Sequence, residues 1–263
     1  MRVVSVEHPT AVSMTSMKND MTRVYTQSDF EGFLSTAGLV LGISRDAART
    51  INELTAPDFS LVDLLMPDEV RLSNLIAELL NPNGRHGQGK RFLEVFLTLL
   101  AEGTSDASVI RRIAAAWRSS SNIMVRREVP TIHIPARARR MDILIEGMGY
   151  GLMIENKPWA GDQRAQLADY ANDLRARFSE NFAIVYLSRE GSDPSSHSIA
   201  PDIWQSHAEA GRATSMSYVS PFREWVLECE RVCRAESVRA ALRDIARYIS
   251  SEFDVLTSVE GTR

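Results

Sequence analysis

Residues 141–157 read MDILIEGMGYGLMIENK, two apolar runs on either side of a glycine-rich tetrapeptide. This pattern predicts an antiparallel β-hairpin whose four-residue turn pairs Glu146 with Gly151. In that register Asp142 lies directly opposite Glu155. Residues paired in this way have Cβ atoms roughly 4.5–5.5 Å apart on one face of the sheet. The hairpin is therefore expected to bring two carboxylates together at its open end.

The paired carboxylates need positive charge between them, because like charges at this separation repel each other. Lys157 lies two residues beyond Glu155 and hence on the same face of the strand, so its ammonium group supplies part of that charge. A divalent metal ion can supply the rest, which gives the arrangement of a metal-dependent phosphodiesterase site. The alternative is a solvated surface pair, but apolar residues on both faces of the hairpin indicate that the acids are covered.

The composition is that of an ordinary globular protein, with 263 residues, 44% apolar, 24% charged and a net charge of −4. A chain of this length can bury a full core as one α/β domain with helical additions. Neither an 18-residue apolar run nor the apolar centre of a secretory signal is present. Cys229 and Cys233 lack neighbouring zinc ligands, so a reduced pair is expected. These features predict a cytoplasmic protein without membrane contact.

Local charge, unlike the net charge, favours a nucleic-acid partner. Residues 111–140 contain eight arginines and a single acid, Glu128. Such a basic cluster directly before the hairpin suits a phosphate backbone, with Arg137, Arg139 and Arg140 as the candidate contacts. The alternative is a solvated strand edge, because charged edges also prevent aggregation.

The chain divides into four predicted regions. A capping box predicts a helix that starts at Ser28, and a second helix is expected from Ser44. The regions are 1–25, a flexible N-terminal segment; 26–66, a helical accessory region; 67–200, the core; and 201–263, a C-terminal helical region packed on the core.

The core is expected to be an α/β fold, with a mixed central sheet flanked by helices and with N- and C-terminal helical additions. The helices are predicted over 67–80, 90–101, 108–119 and 162–177, and the strands over 123–134, 142–157 (the hairpin) and 182–187. Residues from about 200 onward are expected to be mostly helical, with helices over 221–234 and 237–251. In the first core helix, Glu69 lies in line with Ser73 and Ile76 at the edge of the buried stripe, so it faces inward.

The pattern Asp142…Glu155-x-Lys157 resembles that of the PD-(D/E)XK nuclease superfamily, which has the restriction-endonuclease-like fold. Met141 stands where the family pattern has proline, at a position that varies widely. Glu69-x-x-x-Ser73, followed by LLNP at 79–82 and HGQG at 86–89, is similar to the N-terminal signature of an uncharacterised bacterial branch.

A second resemblance lies on the helix after the hairpin. Gln163-x-x-Gln166-Leu167-x-x-Tyr170 is similar to the glutamine–tyrosine motif of the exonuclease-like branch. The resemblance as a whole covers roughly residues 67–187.

The resemblance implies a role for each matching residue. Asp142 and Glu155 are metal ligands, and the carbonyl oxygen of Asn156 is a third. Lys157 is the catalytic cation, and Glu69 completes the metal shell as an accessory ligand. The metal is Mg²⁺, for which Mn²⁺ can substitute.

Three further residues are candidates for the site. Gln166 is expected to act in catalysis. Tyr170 is expected either to contact nucleic acid or to be a core residue with a solvated hydroxyl group. His86, in a glycine-rich loop, either binds a phosphate or steadies the loop.

These inferences predict a bacterial Mg²⁺-dependent nuclease that hydrolyses phosphodiester bonds in DNA. Two alternatives stay open, an RNA-directed nuclease of a defence or toxin system and a catalytically silent nuclease-fold binding module. The resemblance also makes a homodimer a candidate assembly, because many relatives cut both strands as pairs.

Overall fold

A computed structural model describes residues 26–56, 59–134, 138–159 and 161–254 of the chain. These residues fall into two compact units that divide between Phe59 and Ser60. The predicted flexible segment of residues 1–25 lies outside the described residues.

The described part of the first unit contains one long helix, α1 (Gln27–Thr55). Thr26 caps it: the Thr26 hydroxyl accepts a hydrogen bond from the Asp29 N–H, and the Asp29 carboxylate accepts one from the Thr26 N–H. The prediction of two helices, starting at Ser28 and Ser44, was therefore wrong. Ser44 lies inside a continuous helix because no proline interrupts this stretch.

The second unit contains the remaining helices and strands. They are α2 (Leu61–Leu64), α3 (Glu69–Leu80), α4 (Arg91–Gly103), α5 (Ser108–Ser119), β1 (Met124–Pro130), β2 (Arg140–Gly147), β3 (Tyr150–Lys157), α6 (Gln166–Phe178), β4 (Phe182–Ser188), α7 (Pro201–Glu209), β5 (Ala213–Ser217), a π-helix (Tyr218–Phe222), α8 (Arg223–Val232) and α9 (Glu236–Phe253). The predicted core helices and strands all exist, with ends that differ by a few residues. The largest shift is at α6, where Ala165 adopts a left-handed conformation (φ 56°) and delays the helix to Gln166.

The five strands form one mixed sheet in the order β1-β2-β3-β4-β5. The first three strands are antiparallel, whereas β3, β4 and β5 are parallel. Helices cover both faces, which confirms the predicted α/β class with a mixed central sheet. The expectation of a mostly helical remainder did not include β5, a short strand of mixed polar and apolar residues that carries little strand pattern.

The register of the hairpin is as predicted. Glu146 pairs with Gly151 and Leu144 pairs with Met153. Toward the open end of the hairpin, the last pair is Ile143 with Ile154. Asp142 and Glu155 are the next residues on the two strands. The turn geometry therefore fixes which acids meet at the open end.

Alternating hairpin residues enter two separate hydrophobic cores. Ile143, Ile145, Leu152 and Ile154 pack with α3, α4, α5, α8 and α9 in the larger core. Leu144 and Met153 pack with α6 and α7 in the smaller one. Because both faces of β3 are buried, its polar residues must find partners inside the protein.

The C-terminal helices α8 and α9 contribute to the larger core. Trp225 is fully buried there, and its indole N–H donates to the Phe92 carbonyl oxygen at 2.9 Å. Cys229 and Cys233 are buried free thiols, as expected for a reduced pair. Among the described helices, none has the length and apolar character that crossing a membrane requires.

Candidate active site

A polar cleft of about 570 Å³ lies at the open end of the hairpin. Its walls come from α3, the first three strands and the start of α6. The lining residues are Glu69, Glu128, Ala138, Arg139, Arg140, Asp142, Lys157, Gln163, Gln166 and Tyr170. The structure thus brings together most of the residues that the sequence singled out.

Lys157 is the cationic centre of the cleft. Its ammonium nitrogen lies 2.8 Å from Glu69 Oε1 and 3.1 Å from Glu155 Oε1. The Lys157 side chain is only 7% exposed, so both contacts form in a poorly solvated environment. Glu69, predicted as an accessory metal ligand, faces inward as expected and contacts Lys157.

Asp142 is held by the neighbouring strand. Its Oδ2 accepts a hydrogen bond of 2.8 Å from the backbone N–H of Asn156. This contact uses one carboxylate oxygen of a residue that also lines the cleft. The side chain is therefore oriented before any ligand arrives.

Asp142 and Glu155 both lie in surroundings that disfavour the charged form of a carboxyl group. Burial raises the pKa of Glu155 to about 8, and repulsion from Asp142 adds to the shift. Burial likewise raises the pKa of Asp142 to about 6, although the Asn156 N–H and Lys157 oppose the change. Glu155 is fully buried, and its Oε2 has no hydrogen-bond partner among the described residues. A buried carboxylate oxygen without a partner is costly unless something cationic binds it.

Lys157 stays a cation in this environment. Burial alone would lower its pKa, but the Glu155 carboxylate, the hydrogen bond to Glu69 and the charge of Asp142 together raise it above its ordinary value. A lysine with a raised pKa is poorly suited to take up a proton, and well suited to stabilise negative charge.

Gln166 and Tyr170 support Glu155 from α6. The Gln166 amide donates to Glu155 Oε1 at 2.6 Å and to the Tyr170 hydroxyl oxygen at 3.2 Å. Tyr170 in turn donates to the Arg140 carbonyl oxygen. Tyr170 is 1% exposed and packs in the smaller core, as the core alternative expected, but its hydroxyl group bonds to Gln166 and Arg140 where that alternative expected solvent. Both side chains hold Glu155 in place.

Asn156 faces away from the cleft, as the alternation of a strand requires. Its amide donates to Ser73 Oγ at 3.0 Å and to the Glu69 carbonyl oxygen at 3.3 Å, and its Oδ1 accepts from the Tyr218 hydroxyl at 2.6 Å. The side chain thus ties β3 to α3, the helix that carries Glu69. Coordination of a metal by the Asn156 carbonyl oxygen stays a prediction.

Replacing Tyr218 by phenylalanine is expected to lower the free energy of unfolding by roughly 1–3 kcal/mol, because it leaves the fully buried Asn156 Oδ1 unsatisfied. Urea unfolding of the full chain measures the change. Tyr150→Phe is the matched control, since the Tyr150 hydroxyl has no hydrogen-bond partner among the described residues. Equal stability of the two variants would contradict a structural role for this hydrogen bond.

The predicted arginine contacts differ in their surroundings. The Arg139 side chain is 9% exposed, and its guanidinium group is held by Asp169, by Gln163 and by the Arg164 carbonyl oxygen. Arg139 therefore anchors the start of α6 as well as lining the cleft. Arg140 is exposed, whereas Arg137 lies outside the described residues. Binding of nucleic acid by these arginines stays a prediction.

His86 is a structural residue of its loop. It is 7% exposed, its Nδ1 accepts from the Gln88 N–H at 3.0 Å, and its Nε2 lies 2.9 Å from the Asn81 carbonyl oxygen. The ring also stacks on Phe92, with centroids 4.7 Å apart. Both nitrogens are occupied within the loop, which matches the alternative that His86 steadies it.

The sequence leaves two roles open for Glu128, the single acid of the basic cluster: a further metal ligand or a cross-strand partner of an arginine. Glu128 lies within β1 yet has a left-handed backbone (φ 51°), a strained conformation for a residue with a side chain. It lines the cleft, and its charge contributes to the raised pKa of Asp142. Glu128 is therefore a fourth acid at the site, beside Asp142, Glu155 and Glu69.

The donor set fits a hard divalent cation. The cleft offers carboxylate oxygens, and the unpartnered Glu155 Oε2 is a position where a cation would relieve the cost of burial. Within the described residues, no group of three or more His, Cys, Asp or Glu side chains is arranged to hold a metal ion. Mg²⁺ is usually held by one or two carboxylates, because it keeps several waters and takes its other ligands from substrate.

Comparison with known proteins agrees with this geometry. A family model of the PD-(D/E)XK nuclease superfamily matches residues 59–247, which include the whole cleft. Searches of curated proteins and of solved structures returned no match. The family match confirms the resemblance to this superfamily, and the mixed sheet flanked by helices is consistent with a restriction-endonuclease-like fold. The chain therefore belongs to the PD-(D/E)XK nuclease superfamily.

Proposed function

We propose that this protein is a nuclease that hydrolyses phosphodiester bonds in DNA and depends on Mg²⁺. The observation that carries the proposal is the buried, unpartnered oxygen of Glu155 beside Asp142, within reach of the charged Lys157. Such an arrangement is unfavourable in the protein alone and becomes favourable when a divalent cation and a phosphate enter.

Each residue of the cleft has a distinct proposed role. Asp142 and Glu155 would hold the metal ion, which when bound supplies Lewis-acid polarisation and an activated water. Lys157 places its positive charge where negative charge develops on the phosphoryl oxygens. Glu69 orients the Lys157 ammonium group, and Gln166 orients Glu155.

The polarity of the cleft supports a polyanionic substrate. Arg140 is exposed at the rim, and the arginines of α5 and β1 precede it in the chain. DNA is the proposed substrate. Cleavage restricted to RNA would correct this choice without changing the chemistry at the phosphate, since the same groups act on either backbone.

Cleavage is expected to require both the metal and Asp142. The wild-type full chain should cut DNA with Mg²⁺ or Mn²⁺ and not with EDTA, and Asp142→Asn should lower the rate by roughly 10³-fold. Supercoiled, linear and single-stranded DNA, together with RNA, form the substrate panel. Asp202→Asn is the matched control, because this exposed acid lies on α7 outside the cleft. Equal rates with EDTA, or an active Asp142→Asn protein, would refute the proposal.

A further inference from the structure

A second cleft adjoins the site on the other side of Lys157. It has a volume of about 350 Å³ and lies where the parallel strands β3 and β4 end. Its lining residues are Lys157, Pro158, Trp159, Tyr186, Ser188, Arg189, Glu190 and Ser192. Lys157 lines both clefts, so a chain bound across the site would continue from the first into the second.

Trp159 is an unusually exposed tryptophan for this fold. All four tryptophans lie within the described residues, and Trp117, Trp204 and Trp225 are at most 4% exposed, whereas Trp159 is 44% exposed. An aromatic side chain of this size normally buries most of its surface, so its exposure beside the site points to a partner.

The Trp159 indole is exposed but firmly held. Its Nε1 donates to Glu252 Oε1 at 3.0 Å, and its ring stacks on Phe253 with centroids 5.6 Å apart and planes inclined by 30°. Both partners lie at the end of α9. A fixed aromatic ring loses little conformational entropy when a flat ligand stacks on it, which favours binding.

Positive charge lies next to this ring. Arg189 is half-buried, donates to the Glu252 carbonyl oxygen at 3.2 Å and lies 6.0 Å from the centre of the Phe253 ring. Arg189 and Lys157 therefore place two cations in a cleft whose single acid, within its lining, is Glu190. An aromatic platform that shares a cleft with two cations is suited to a nucleotide, with its flat base and charged phosphate.

We propose that this second cleft binds the nucleotide adjacent to the scissile phosphate, with its base stacked on Trp159 and its phosphate facing Arg189. The inference rests on the proposed nuclease function and refines its substrate class. A base can stack on Trp159 only after it has left its neighbours in a duplex, so single strands and frayed ends are favoured over intact duplex. Because every base presents a flat face, the contact is tolerant of sequence.

A scan with abasic sites tests the stacking contact. Single-stranded oligonucleotides that each lack one base are bound to the wild-type full chain in EDTA, and affinity is measured by fluorescence anisotropy. Removal of one base, next to the bond that the wild type cleaves with Mg²⁺, is expected to weaken binding roughly tenfold. Trp159→Ala should weaken binding of the intact oligonucleotide by a similar factor and should no longer respond to that abasic site.

Conservative variants separate stacking from loss of structure. Trp159→Phe keeps a ring and should retain the response to the abasic site. Met148→Ala changes an exposed apolar side chain at the opposite end of β3 and should bind like the wild type. The affinity of Trp159→Ala is interpreted only if this variant melts in one cooperative transition. If it does not, the affinities of Trp159→Phe and Arg189→Gln test the proposal instead.

Two different failures are distinguishable. If the wild type cleaves DNA but Trp159→Ala keeps the wild-type affinity and abasic profile, the stacking site is refuted and the nuclease function stands. The same conclusion follows if no abasic position matters in the wild type. If the wild type neither binds nor cleaves nucleic acid, the nuclease function fails and the stacking site falls with it.

Discussion

Replacing Lys157 by methionine is expected to lower the rate of phosphodiester cleavage by roughly 10³-fold, with a much smaller effect on binding of DNA. The methionine side chain fills a similar volume but removes the ammonium group that lies 3.1 Å from Glu155. Single-turnover cleavage with saturating Mg²⁺ measures the chemical step, and anisotropy in EDTA measures binding.

Lys157→Arg distinguishes two roles of the cation. If positive charge alone stabilises the transition state, arginine should restore much of the rate, because it keeps the charge. Full activity of Lys157→Arg would exclude a role as a base, in agreement with the raised pKa of the lysine. Lys90→Met is the matched control, since the Lys90 ammonium group binds carbonyl oxygens at the end of α5. A Lys157→Met protein with the wild-type rate would remove the lysine from the mechanism.

Asp142→Asn is expected to stabilise the metal-free protein at pH 8, although it lowers the rate of cleavage. Burial raises the pKa of Asp142 from 3.8 to about 6 and that of Glu155 from 4.5 to about 8. The native state therefore binds more protons than the unfolded state across this interval. The contribution of these two acids to the free energy of unfolding therefore falls as the pH rises from about 4 to about 8.

The neutral asparagine removes one of the two repelling charges. Its side-chain oxygen can still accept the hydrogen bond from the Asn156 N–H. We expect a gain of roughly 1–3 kcal/mol at pH 8, or a Tm higher by about 2–10 °C for a unit of this size. The gain should shrink toward pH 5, where the wild-type acids are already becoming protonated.

Thermal unfolding in EDTA between pH 5 and pH 8.5 measures both the gain and its pH dependence. Adding Mg²⁺ should raise the Tm of the wild type more than that of Asp142→Asn, because binding to the native state stabilises it by mass action. A lower Tm of Asp142→Asn at pH 8 in EDTA would show that the two acids do not repel each other in the native protein.

The geometry of the hairpin was predictable because its rules are local. Alternation with a period of two and the four-residue turn together fix the register that brings Asp142 to Glu155. The inward direction of Glu69 followed from the helical period in the same way. Each inference needed only residues close together in the chain.

The contacts that support the site depend on tertiary packing, which the local pattern does not contain. The Tyr218 hydroxyl reaches Asn156 from a π-helix, an element without a strong sequence signal. The sequence suggested that Arg139 is a surface cation. Its guanidinium group is instead largely buried in an ion pair with Asp169, and composition does not reveal such a pair. Strand β5 was missed because its half-buried residues show neither clear alternation nor an apolar run.

The contacts that tie the proposed site together also bear on when it can form during synthesis of the chain. Glu69 and Lys157 are 88 positions apart, and Tyr218 follows its partner Asn156 by 62 positions. A ribosome makes about 5–20 residues per second, so the acidic hairpin leaves it several seconds before Tyr218 does. The entropic cost of closing such long loops comes before any stabilisation by the contacts at their ends. A nascent chain that ends in β4 would therefore carry Glu69, Asp142, Glu155 and Lys157 and still lack the Tyr218 hydroxyl that binds Asn156.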